Sequence, residues 1–152
     1  MSPSRSKRTK APTEAMPSVA AEKKLLATVP IAIRWRDLDA FNHVNNATFL
    51  TYLEEARLIW LSGLSGWFSE TTMPVLAAAE VNYRAQLVWP GSVIVELYCE
   101  RLGNSSLTIS HRIVSTDASG RLHSDGRVTM VWIEPASGRT TPLPETIRTT
   151  CQ

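Results

Sequence analysis

The sequence predicts an α+β fold: one long helix packed against a curved antiparallel sheet of about five strands. Three observations carry this expectation. Apolar residues recur at three- and four-residue steps in one stretch, Ala47–Leu61, which gives a single amphipathic helix. After Pro74 the pattern changes to period two, the mark of strands with one buried face. The turn signals among those strands, Pro90-Gly91, Gly103-Asn104 and Asp117–Gly120, leave only short connections, so the last three strands form an antiparallel meander.

Each element follows in order. The first strand runs from Ala27 to Arg36, with Val29, Ile31, Ile33 and Trp35 alternating with smaller or polar residues. The helix places Phe49, Leu50, Leu53, Ala56, Trp60 and Leu61 on one face and stops at Gly63. Residues Ser65 to Glu70 form a short second turn carrying Trp67 and Phe68. Four strands follow, at Val75–Val88, Ser92–Arg101, Ser105–Thr116 and Arg121–Ile133. Val93, Val95, Leu97 and Cys99 share one side of the second of these, and Val128, Met130 and Trp132 share one side of the last. The C-terminus is a loop with one helical turn starting near Pro144. A single sheet over a single helix leaves edges and a face to cover, which argues for self-association.

Charge divides the chain. Residues 1–24 hold six basic side chains against two acidic ones, whereas the remainder holds ten arginines against twelve acids. The basic pI near 8.7 therefore belongs to the Ser-, Pro- and Lys-rich N-terminus. Residues 1–26 are expected to be a disordered basic tail and 27–152 a single domain. A folded body with net negative charge argues against nucleic-acid binding. The sequence shows no membrane span and no secretory leader, and Cys99 and Cys151 make neither a metal-ligand spacing nor a disulfide framework, so a cytoplasmic setting is expected.

The most unusual stretch joins the first strand to the helix: Asp37, Asp39, Asn42, His43, Asn45 and Asn46 lie within ten residues. A helix N-terminus offers unpaired N–H groups and a positive dipole end. A loop delivering a carboxylate there supplies both a base or nucleophile and a donor for a developing oxyanion. The plain alternative is that Asp37 or Asp39 closes a turn, with Asn45 or Asn46 as the helix N-cap. Calcium is excluded: Phe41 has no side-chain oxygen, and Asn42 and Thr48 stand where an EF-hand needs Gly and Glu. No G-x-S-x-G elbow is present for a nucleophilic serine.

The order strand, Asp-Leu-Asp-Ala-Phe-Asn-His-Val-Asn-Asn, helix with Tyr-Leu-Glu-Glu-Ala-Arg, then four strands resembles the hotdog-fold thioesterases, in particular the 4-hydroxybenzoyl-CoA thioesterase-like branch, and also the acyl-ACP thioesterases. The resemblance covers about Thr28 to Pro144. It implies a sheet wrapped around the helix, a homodimer or homotetramer with sites shared between chains, an acyl-CoA or acyl-ACP substrate, and no metal or redox cofactor. It makes Asp39 the catalytic carboxylate and gives His43 a catalytic or orienting role, with Glu54 and Glu55 in reserve. Whichever of Asn45 and Asn46 does not cap the helix lines the site. Arg101, with Ser105 and Ser106 of the Gly103–Ser106 turn, is expected to meet the coenzyme, and Arg84 less so. Glu54 and Arg57 are expected to pair on the helix surface. His111 and His123 are expected to be ordinary surface or core-edge residues. The competing class is a non-catalytic acyl-thioester-binding or regulatory protein on the same fold.

Overall fold

A computed structural model describes residues 22–152. The tail assignment, apart from its last residues, lies outside them. In chain order the elements are β1 (Lys24–Ile33), a 3-10 turn (Trp35–Asp37), α1 (Asn46–Ser62), β2 (Met73–Tyr83), β3 (Gly91–Leu102), β4 (Ser106–Ser115), β5 (Leu122–Ile133) and α2 (Glu145–Cys151). The five strands form one sheet in the order β1-β3-β4-β5-β2, and every neighbouring pair is antiparallel. β3, β4 and β5 are the meander, and β1 and β2 are the outer strands.

The period-two pattern sets which face meets α1. Val29, Ile31 and Ile33 of β1, Val93, Val95 and Leu97 of β3, Ile109 and Ile113 of β4, and Val128 and Trp132 of β5 are buried in one core. Phe49, Leu53, Ala56, Trp60 and Leu61 of α1 complete it. Each large apolar side chain buried here contributes about 2 kcal/mol before the entropy of ordering is counted. The Trp132 indole N–H is satisfied by the carbonyl of Trp67 at 2.9 Å, which fixes the segment after α1.

Several boundaries differ from expectation. β1 begins at Lys24 and takes in three residues assigned to the tail, because Lys24 and Leu25 pair with Cys99 and Tyr98 and Lys23 reaches Glu100 at 2.8 Å. β1 ends at Ile33, since a 3-10 turn follows, and Trp35 is 70 % exposed rather than continuing the buried series. β2 stops at Tyr83, five residues early, because the amides of Arg84 and Ala85 both turn to the carbonyl of His123. The segment at 65–70 is irregular, and α2 is seven residues long rather than a single turn.

Arg57, expected at the helix surface, and His111 and His123, expected at the surface or core edge, are all buried. Arg57 keeps only 8 % exposure because it shares the inner face of α1 with Leu53 and Trp60, and it forms no ion pair with Glu54. His123 is held by the Gln86 carbonyl at 3.0 Å and the Ser115 hydroxyl at 2.9 Å. His111 is 3 % exposed and faces α1 beside Gly126.

Burial first, and then the Arg57 charge, push His111 down to about 4. An ordinary histidine titrates near 6.5, so the unfolded chain takes up a proton over a range where the folded chain refuses it. The stability due to neutral His111 is complete above about pH 6.5 and is lost as pH falls toward 4. Between pH 7.5 and pH 5 we expect roughly 2 kcal/mol of unfolding free energy to disappear. Urea titrations at the two pH values check this, and His111→Asn should remove most of the difference.

Candidate active site

The site is built where β1 gives way to α1. Leu38 and Val44 form a bridge that closes a tight loop from Asp39 to His43. Inside it the Asp39 amide donates to the His43 carbonyl at 2.8 Å, and the Asn42 amide donates to the Asp39 carbonyl at 3.1 Å. Asn42 takes φ 59°, a left-handed conformation that asparagine tolerates better than most residues. The Asp39 Oδ1 accepts the Phe41 amide at 2.8 Å. Its Oδ2 meets no donor among the described residues. The turn-closing role and a free carboxylate oxygen therefore coexist in one side chain.

Asp37 has a different task. Its Oδ2 accepts the Tyr52 hydroxyl at 2.6 Å and the Arg34 amide at 2.8 Å, while its carbonyl accepts the Asn45 amide at 2.9 Å. Tyr52 is buried on α1, and its phenol is raised by burial and by the Asp37 carboxylate. Asp37 thus pins the loop to the helix.

Asn45 is the N-cap. Its Oδ1 accepts the Ala47 amide at 2.9 Å and its carbonyl the Thr48 amide at 2.8 Å. No acceptor among the described residues meets the Asn46 N–H. The first turn of α1 therefore keeps one free donor at the positive end of the helix. Tyr83 of β2 donates to the Asn46 carbonyl at 2.9 Å and packs edge-on against Phe49, with ring centroids 5.1 Å apart.

Asp39, His43 and Asn46 line one cavity of about 550 Å³, with Phe41, Val44, Phe49, Tyr83, Arg84, Ala85 and Gln86. The structure thus brings together three of the expected residues. The Val44 amide donates to Leu87 at 2.9 Å and ties the loop to the β2–β3 connection that forms the opposite wall. Arg84 lines the cavity, but its guanidinium is engaged by Asp125 at 3.1 and 3.2 Å.

Arg101, Ser105 and Ser106 lie elsewhere. β1 ends beside Gly91, where β3 begins, and Arg101 is near the far end of β3, roughly 30 Å of strand away. The turn that follows packs against the C-terminal segment, through Leu143 N–H to the Asn104 carbonyl and Arg148 to the carbonyls of Gly103 and Asn104. Within one chain, Arg101 and this turn cannot reach the Asp39 cavity. Glu54 and Glu55 lie outside it as well, around an exposed hollow on α1. Tyr83, Phe49 and Gln86 had not been singled out as site residues. Tyr83 sits in a strand pattern that carries no chemical signal, and only the fold sets it over Asn46.

A larger hollow, about 680 Å³, opens on the sheet face away from α1. Most of its charges are already matched: Lys23 with Glu100, Arg84 with Asp125, Arg112 with Glu96, and Arg127 with Glu80 and Glu100. It meets no helix terminus among the described residues, unlike the smaller cavity.

A strand-to-helix loop with a free carboxylate oxygen and a helix whose first amide is unpaired line one cavity of a hotdog fold. The chain belongs to the Thioesterase-like superfamily, whose family model matches residues 33–150. It is 49 % identical to a candidate acyl-CoA thioesterase of Xanthomonas campestris, over 78 % of this chain and 99 % of that one, with a TM-score of 0.71. It is 37 % identical to PA2801, a candidate thioesterase of Pseudomonas aeruginosa, over 85 % of this chain and all of that one, with a TM-score of 0.79. Among characterised enzymes, the long-chain acyl-CoA thioesterase FadM of Escherichia coli is 28 % identical over 68 % of this chain and 80 % of its own. No helix among the described residues is long and apolar enough to cross a membrane.

Proposed function

We propose that the chain hydrolyses an acyl-CoA thioester, with Asp39 as the reacting carboxylate. The observation that carries this reading is that Asp39, with its free Oδ2, and Asn46, whose N–H is unpaired, line the same cavity. The thioester carbonyl oxygen sits against the Asn46 amide, where the helix dipole stabilises the charge that develops on it. Asp39 either attacks the carbonyl carbon, giving an acyl anhydride that water then hydrolyses, or takes a proton from water that attacks the carbonyl directly; His43, at the other end of the loop, orients that water. The C–S bond breaks, the coenzyme leaves as its thiol, and the acyl group leaves as a carboxylic acid. Phe41, Phe49 and Tyr83 give the acyl group an apolar wall. Coenzyme A is favoured over a carrier protein by what the named relatives act on.

A panel of short, long, branched and aromatic acyl-CoAs, run beside the same acyl groups on a carrier protein, tests the substrate. We expect free thiol release from the coenzyme A thioesters. Turnover of the carrier-bound set alone would reverse the choice of carrier. No turnover of any would favour a binding or regulatory role.

We also propose that two copies pair through β2. This strand is exposed along its middle, with one row of backbone groups unpaired, and Leu76, Leu50, Leu58 and Ile59 add exposed apolar surface on β2 and α1. Light scattering at micromolar concentration should return at least twice the chain mass of 16.8 kDa. A fully active monomer would contradict it.

A further inference from the structure

The two cysteines, 52 positions apart in sequence, meet in the fold. Cys99 lies on β3 in the series Val93, Val95, Leu97, so its side chain points to the inner face of the sheet. α2 packs against β1 and β3 at that end. Ile147 of α2 is fully buried, and Cys151, one helical turn further on, shares its face. Both cysteines are half-buried, both pack on the core, and their side chains neighbour each other where α2 lies on β3. Lys24, the cross-strand partner of Cys99, places a positive charge near the pair. Neither thiol touches the Asp39 cavity, so hydrolysis makes no use of them.

We propose that Cys99 and Cys151 form an oxidation site: a peroxide converts the thiol pair to an intrachain disulfide that staples α2 to β3. Cys99 sulfur attacks one oxygen of hydrogen peroxide, the O–O bond breaks, and Cys99 becomes a sulfenic acid with release of water. Cys151 sulfur then displaces the hydroxyl, and a second water leaves with the Cys151 proton. Two thiols lose two electrons in total and the peroxide gains them. The order follows from the environments. Burial, and then the contact with Cys99, push the Cys151 thiol up to about 12, so it stays protonated and acts as the resolving partner. The bond closes a loop of about fifty residues and secures the segment in which Arg148 holds the β3–β4 turn.

The test uses the full-length protein, reduced and then treated with hydrogen peroxide. We expect the intact mass to fall by about 2 Da, the mark of one disulfide, with both thiols lost to Ellman's reagent under denaturing conditions. The melting temperature should rise by roughly 10 °C, return to its starting value with dithiothreitol, and stay unmoved in Cys99→Ser and in Cys151→Ser. Two titratable thiols remaining after treatment, a mass gain of separate oxygen atoms, or a disulfide joining two chains on a non-reducing gel would each overturn the proposal.

Discussion

Gly126→Ala should cost at least about 3 kcal/mol of stability and detach the outer strand β2 from the sheet. Gly126 sits in β5 at φ +155°, and a Cβ placed on it would lie 2.0 Å from the Glu80 carbonyl oxygen and 2.9 Å from the His111 ring. The first neighbour is the backbone of β2, which cannot rotate away. The second is a buried imidazole that already fills the space a side chain would need. β2 is an outer strand, paired only with β5, so it yields more readily than an inner strand. Its departure takes Tyr83 away from Asn46 and opens the cavity wall. Thermal melting should show a fall on the order of 10 °C, together with lost activity. A variant that melts like the parent would show that β2 and β5 do not approach this closely.

How much of this was legible depended on whether the signal was local. The helix and the meander were written in apolar spacing and turn residues, and both appear where periodicity put them. The end of β1 was not, because Trp35 extends the alternation perfectly while the backbone turns after Ile33 to bring Asp37 under Tyr52. A contact fifteen residues away decided it. The same holds for His111: the imidazole is buried only because Gly126, on the neighbouring strand, leaves room for it.

The site was half legible. The loop chemistry from Asp39 to Asn46 is a crowded local motif, and Asp39, His43 and Asn46 from it line one cavity. Tyr83 was hidden because its role is created by the strand order, which carries β2 to the far side of β5. Within one chain, Arg101 and the Gly103–Ser106 turn stand apart from that cavity for the converse reason. A resemblance in sequence order carries no distance, and the length of β3 separates them from the loop.

The central claim rests on the Asp39 carboxylate, and Asp39→Asn tests it most directly. Asparagine keeps the size of the side chain and an oxygen for the Phe41 amide, so the loop should close as before. What it removes is the negative charge, which attacks the thioester or draws a proton from water. Turnover of acyl-CoA should fall at least about a hundredfold, while melting temperature and assembly barely move. Asp37→Asn, measured beside it, should do the reverse: its carboxylate is occupied by Tyr52 and Arg34, so stability falls by about 1–3 kcal/mol and more of the turnover survives. The measurement is therefore the ratio of kcat/KM between the parent and Asp39→Asn on the best acyl-CoA substrate. A ratio of about a hundred or more, with folding unchanged, is the predicted result; a ratio near one would contradict the assignment of Asp39.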